Sequence, residues 1–268
     1  MGLIVGDFQN PLRTAWDAGR TVINGWIATA SPIALEAMMT APWGSVTIDM
    51  QHGTADYADL LTLLPIIEKA GAAPIVRVPW LDEAAIMRTL DAGALGVIAP
   101  MINTAEDARK LVACCLYPPI GTRSFGPIRA RLANRGYSVR SANAQVVPFA
   151  MIETREAVKN IDSILMVEGL GGLYIGPADL ALSYGFEPGF DREERQLTEI
   201  ISDILAAATN AGVPCAIHCG SPSYASRMAR AGFLLTTIGS DVRFIEAAAA
   251  SVFEAHAEAS KDSGTGQG

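Results

Sequence analysis

Short apolar, β-branched runs alternate with longer amphipathic stretches along almost the whole chain. The runs predict strands over 22–27, 46–50, 74–78, 96–100, 147–152, 172–176, 214–218 and 235–238. Between them, apolar residues at helical spacing predict helices over 57–70, 83–92, 105–115, 192–211, 223–231 and 242–257. Four of these helices run into a glycine (Gly71, Gly93, Gly212, Gly232), the residue that closes a helix in the left-handed conformation. Continuously apolar strands alternating with helices call for a parallel sheet covered by helices. Eight such units close a (β/α)8 barrel. An open doubly wound sheet is the competing arrangement, but the first strand leads into Ile27-Ala-Thr-Ala-Ser-Pro32, which lacks a glycine-rich dinucleotide turn. One domain over 1–260 is expected, followed by a polar, disordered tail at 261–268.

Composition narrows the partners. The chain has 268 residues, half of them hydrophobic and 18% charged, enough to build a large packed core. A net charge of −8 disfavours nucleic acid and anionic membrane surfaces. No run of about 18 uncharged apolar residues predicts a membrane span, and the N-terminus does not read as a signal peptide. The cysteines form two close pairs, Cys114/Cys115 and Cys215/Cys219, without the spacing of a disulfide framework or zinc ribbon. Reduced thiols and a cytoplasmic location are expected.

In such a barrel, chemistry gathers at the C-terminal ends of the strands. That filter selects Asp49, Gln51, His52, Arg77, Glu153 and Asp179. Glu153 ends the apolar run Pro148-Phe-Ala-Met-Ile, and Asp179 lies in the turn Ile175-Gly-Pro-Ala-Asp. Two carboxylates on adjacent strand ends can hold one hard divalent cation, with water completing the octahedron. Equally, Asp179 can cap a helix and Glu153 can face a helix dipole. Arg77 interrupts a buried strand, and a buried guanidinium needs an anion, either a substrate or an internal partner such as Asp49 or Asp91. His52, three residues after Asp49, can exchange protons near neutral pH, although a structural role is the commoner one for a strand-end histidine. His218, between Cys215 and Cys219, matches no zinc spacing and is expected to be structural. The segment from Tyr117 to Arg135 carries Arg123, Arg129, Arg131 and Arg135; it can cover the mouth and attract anions, or be an ordinary solvated loop. Lys69, Lys110 and Lys159 all fall in helical stretches, so no Schiff-base lysine is expected.

Seven segments stand in order: Asp49-Met-Gln-His52-Gly, Arg77-Val-Pro, Leu90-Asp91-Ala-Gly, Pro100-Met, Tyr117-Pro-Pro-Ile-Gly-Thr-Arg123, Ile152-Glu153-Thr-Arg-Glu-Ala and Ile175-Gly-Pro-Ala-Asp179-Leu. Together they resemble the HpcH/HpaI aldolase family of metal-dependent 2-keto-acid aldolases. The resemblance implies that Glu153 and Asp179 hold a divalent metal ion (Mg2+, Mn2+ or Co2+) and that Arg77 contacts the keto acid and its enolate. It further implies that His52 and Asp49 form an acid/base pair, and that Asp91 reaches the site of a neighbouring subunit. The backbone of Pro177 and Ala178 would bind the keto-acid carboxylate, with Trp26 near the pocket mouth. The expected partners are a small 2-keto acid of the pyruvate type and an aldehyde, in a homohexamer. The sequence departs from one branch of the family at Met151, where Gln is frequent, and at Met50-Gln51, where Gly-Glu is frequent; both concern the acceptor aldehyde. A CoA-ester lyase of the malyl or citramalyl type, with the arginine segment as its CoA groove, and a non-catalytic keto-acid-binding barrel are the rival readings.

Overall fold

The computed structural model describes residues 8–262. Eight parallel strands form a closed barrel in sequence order: β1 (Val22–Ile27), β2 (Ser45–Asp49), β3 (Ala73–Arg77), β4 (Gly96–Ala99), β5 (Val147–Ile152), β6 (Gly172–Ile175), β7 (Cys215–Cys219) and β8 (Leu235–Ile238), which pairs back onto β1. The register places Asp49 beside Arg77, so the ends of β2 and β3 present a carboxylate and a guanidinium side by side. Nearly every strand residue is buried, as expected where one face meets the barrel interior and the other meets helices.

The predicted helices are present as α3 (Tyr57–Lys69), α4 (Glu83–Asp91), α5 (Ala105–Cys115), α11 (Arg195–Asn210), α12 (Pro222–Ala231) and α13 (Asp241–Asp262). All four closing glycines have positive φ, from 68° at Gly212 to 116° at Gly232. Seven shorter helices were not predicted: α1 (Pro11–Asp17), α2 (Pro32–Met38), α6 (Ile128–Ala133), α7 (Val139–Gln145), α8 (Arg155–Lys159), α9 (Ile161–Leu165) and α10 (Pro177–Ser183). None exceeds two turns, too short for a periodic apolar face to stand out. The predicted tail at 261–268 lies mostly outside the described residues, and α13 runs through Asp262. Among the described residues, no helix is long and apolar enough to cross a membrane.

The interior of the barrel is filled by Ile75, Ile98, Phe149, Tyr174, Ala216 and Leu235, and α1 closes it from below with Leu12 and Trp16. Trp16 packs edge-on against Phe149 at 5.9 Å and donates from Nε1 to the Leu234 carbonyl at 2.8 Å. Asn10 caps α1 and ties it to the barrel through bonds to the carbonyls of Leu95 and Gln145. A packed bottom leaves the opposite end as the open one. Leu12→Ala removes a side chain with no exposed surface, and urea unfolding is expected to show a loss of about 2–5 kcal/mol.

Candidate active site

Strand ends β2 and β3 build the first half of the site. Arg77 donates through Nε to Asp49 Oδ1 at 2.9 Å and through Nη2 to Asp49 Oδ2 at 2.6 Å, a two-pronged pair that is almost fully buried. Of the two internal partners open to Arg77 from sequence, the structure takes Asp49. The pairing leaves Nη1 without a protein partner among the described residues. Trp26, at the end of β1, is 4% exposed and donates from Nε1 to Asp49 Oδ2 at 3.3 Å, while the Arg77 Cζ lies 4.8 Å from its ring centre. Trp26, near the mouth end of β1, is therefore a buried support beneath the ion pair. Burial opposes the charge of Asp49, but the Arg77 bonds and charge, with the backbone N–H groups of Gln51 and His52, outweigh it and hold the carboxyl below its ordinary pKa.

These contacts change the reading of His52. Asp49 accepts from the His52 backbone N–H at 3.3 Å and does not engage the imidazole, which stands exposed on the loop after β2. Asp49 thus orients Arg77 and the loop, and the expected Asp49–His52 acid/base pair is not formed by these side chains.

Glu153 follows β5 and is 2% exposed. Its Oε1 accepts from the Met101 backbone N–H at 2.7 Å, and Met101 holds φ at +56°, unusual for a side chain other than glycine. Burial pushes the Glu153 pKa up to about 7; the Met101 bond opposes this, the charge of Asp179 adds to it, and Arg77 opposes it. Asp179 is exposed in the first turn of α10, where Gly176 is the N-cap. The helix-capping alternative for Asp179 therefore fails, since no side chain caps α10. A Cβ on Gly176 would come within 2.6 Å of Glu153 Oε2 and of Met151 Cε, so the close fit of the Glu153 carboxylate requires glycine there. Pro177 is buried and Ala178 half-buried, leaving N–H groups only from the second helical residue onward.

A hard divalent ion fits this pair. A buried carboxyl whose charge is penalised by burial and by a second carboxylate gains a compensating charge from such an ion. No group of three or more His, Cys, Asp or Glu side chains gathers among the described residues, so two protein ligands would leave the remaining positions to substrate and water.

The arginine segment is corrected by position. The arginine segment follows a helix and precedes β5, so it lies at the closed bottom of the barrel, away from the mouth. Arg123 is 3% exposed, bonds Asp91 Oδ1 at 2.7 Å and lies over the Tyr117 ring. Arg129 is bound by Glu68 and the Ala92 carbonyl. Neither can gather CoA phosphates at the mouth of its own barrel. Asp91 ends α4 at that same bottom face and can reach no mouth of its own chain.

The residue that sequence reasoning set aside is His218. It lies one residue before the end of β7 inside the mouth, half-buried, stacked on Phe190 at 4.6 Å and edge-on to Trp26 at 4.8 Å. Its Nδ1 lies 3.2 Å from Tyr174 Oη. Its short Cys-Ala-Ile-His-Cys context carries no motif; its partners come from β1, β6 and the segment before α11.

The family model for HpcH/HpaI aldolase/citrate lyase matches residues 23–248. The hydroxypyruvate/pyruvate aldolase of Rhizorhabdus wittichii is 41% identical over 244 residues, covering 91% of this chain and 97% of the relative. The 4-hydroxy-2-oxo-heptane-1,7-dioate aldolase of Shigella flexneri is 33% identical over 245 residues, covering 90% and 91%. A crystal structure of an HpcH/HpaI aldolase/citrate lyase family protein from Burkholderia cenocepacia superposes with a TM-score of 0.85 at 30% identity, covering 92% of this chain and 98% of the other. Matched through nearly the whole barrel by sequence and by fold, the chain belongs to the HpcH/HpaI aldolase/citrate lyase family.

Proposed function

We propose that this protein is a metal-dependent aldolase that reversibly cleaves 4-hydroxy-2-keto acids to pyruvate, or a related 2-keto acid, and an aldehyde. The observation that carries it is the meeting, at one barrel mouth, of the Glu153–Asp179 carboxylates with an Arg77 whose orientation is fixed by Asp49. Mg2+, Mn2+ or Co2+ held by Glu153 and Asp179 supplies Lewis acidity toward the 2-keto group. In the cleavage direction the C4 hydroxyl loses its proton and the C3–C4 bond breaks. Its electron pair moves into C2–C3 to give the enolate, and the aldehyde departs. A proton then reaches C3 to complete pyruvate. Arg77 turns Nη1 toward the oxygen on which charge develops, at no cost of reorganisation because Asp49 already holds the fork. His52 exchanges the hydroxyl proton from its exposed loop. The N–H groups of Ala178 and Asp179 bind the keto-acid carboxylate, with Pro177 fixing the entry of the helix.

The site is completed by a neighbouring copy. Asp91 can take part only in another subunit's mouth, in keeping with a homohexamer. The 22-residue α13 supports association: Ile245, Val252 and Phe253 are exposed on it, and a groove of about 710 Å3 beside it is lined by Met38, Trp43 and Phe244. Light scattering on the eluting protein should give an oligomer; a monomer that is fully active would remove Asp91 from the mechanism. The four buried free thiols suit a reducing cytoplasm.

The direct test is pyruvate release from a panel of 4-hydroxy-2-keto acids, with each metal and after EDTA. Release that vanishes in EDTA and returns with metal is expected. Release that persists in EDTA contradicts the metal mechanism.

A further inference from the structure

His218 is joined to the barrel interior by a chain of buried hydrogen bonds. Ser45 Oγ donates to Asn24 Oδ1 at 2.8 Å, and Asn24 Nδ2 donates to Thr47 Oγ1 at 3.0 Å and to Thr237 Oγ1 at 2.9 Å. Thr237 Oγ1 lies 2.7 Å from Tyr174 Oη, which lies 3.2 Å from His218 Nδ1. Asn24 uses both amide hydrogens, so Thr237 already accepts and its own hydroxyl is free to donate onward to Tyr174. Tyr174 then donates to Nδ1, and every donor in the chain has an acceptor. Burial keeps the Tyr174 phenol protonated, as a donor must be. This order assigns the imidazole proton to Nε2, which has no protein partner among the described residues. Trp26, the wall that supports Arg77, touches the same imidazole. Arg77 and His218 thus pack against one indole, so the unpartnered N–H shares a wall with the arginine that would meet the C2 oxygen.

Building on the aldolase reading, we propose that His218 is a specificity-determining residue whose Nε2–H donates to the oxygen of a C3 hydroxyl on the 2-keto-acid donor. The site then favours donors of the hydroxypyruvate type over pyruvate. A donor fixed in place discriminates well, because a substrate lacking the oxygen leaves it unpaired. The ring also keeps one charge state. Burial, reinforced by Arg77, pushes its pKa down to about 3; Asp49 opposes this and Arg243 adds to it. Across pH 6–8.5 the imidazole is neutral, so the preference between the two donors is constant even where the overall rate varies.

The test measures kcat/KM for hydroxypyruvate and for pyruvate with one common acceptor, glycolaldehyde, and saturating Mg2+ or Mn2+. His218→Phe keeps the stacking and removes the N–H; the hydroxypyruvate-to-pyruvate ratio is expected to fall about tenfold or more. Tyr174→Phe frees Nδ1 and is expected to lower the ratio by about two- to fourfold through loss of tautomer control. His218→Gln restores an N–H and should recover part of the ratio, which a purely structural role would not produce. An unchanged ratio in His218→Phe, or an equal fall for both donors that His218→Gln does not reverse, overturns the proposal. A wild-type enzyme that uses neither donor overturns the aldolase reading itself, and is distinguished by the absence of any ratio to change.

Discussion

Glu153→Gln is expected to lower kcat/KM for pyruvate release by about a thousandfold or more while leaving the barrel folded. The substitution keeps the size of the side chain, and the amide oxygen can still accept from the Met101 N–H that Glu153 Oε1 uses at 2.7 Å. What it removes is one of the two negative charges facing the cation position. A thousandfold corresponds to about 4 kcal/mol of transition-state stabilisation, in the range expected for weakening a Lewis acid at the reacting oxygen. The readout is a coupled pyruvate assay over a titration of Mn2+, with circular dichroism as the folding control. The metal concentration for half-maximal activity should also rise steeply. A variant with wild-type activity at low metal would remove Glu153 from the site.

The Asp49–Arg77 pair carries the second large effect. Asp49→Ala leaves a nearly buried guanidinium without its partner, and unfolding in urea is expected to show a loss of about 3–5 kcal/mol. Activity should fall with it, because the freed Arg77 no longer aims Nη1 at the substrate. The double variant Asp49→Leu/Arg77→Met separates the two consequences. Apolar side chains of similar size should recover most of the stability, since replacing both partners of a buried ion pair is often neutral, while activity remains lost. Recovery of activity in the double variant would show that the pair is only a packing element.

How far the sequence reveals the site depends on the distance over which each signal is written. The eight strands are read from local apolar runs, and β1, β5 and β8 have the predicted bounds. Helix α2 carried a usable start signal, Ser31 followed by Pro32, which overall periodicity does not register. Glu153 was visible because a carboxylate at the end of an apolar run is locally anomalous. The Met101 backbone that holds it was not, since nothing in Pro100-Met101 announces a positive φ. The composition of the arginine segment left anion binding at the mouth open beside an ordinary loop. Its place after a helix and before a strand, legible from the element order alone, already sends it to the barrel bottom. His218 is illegible for the opposite reason: its neighbours in sequence are silent, and its contacts with Tyr174, Phe190 and Trp26 exist only once the chain is folded.

The central claim is that these residues, with a divalent cation, form an enolate at C2–C3 of pyruvate. Enolate formation can be followed without any aldehyde, as exchange of the pyruvate methyl hydrogens for deuterium in D2O by proton NMR. Exchange that requires protein and metal, stops in EDTA and is lost in Glu153→Gln and Asp49→Ala is the predicted result. Exchange at the wild-type rate in EDTA, or in Glu153→Gln without added metal, would contradict it.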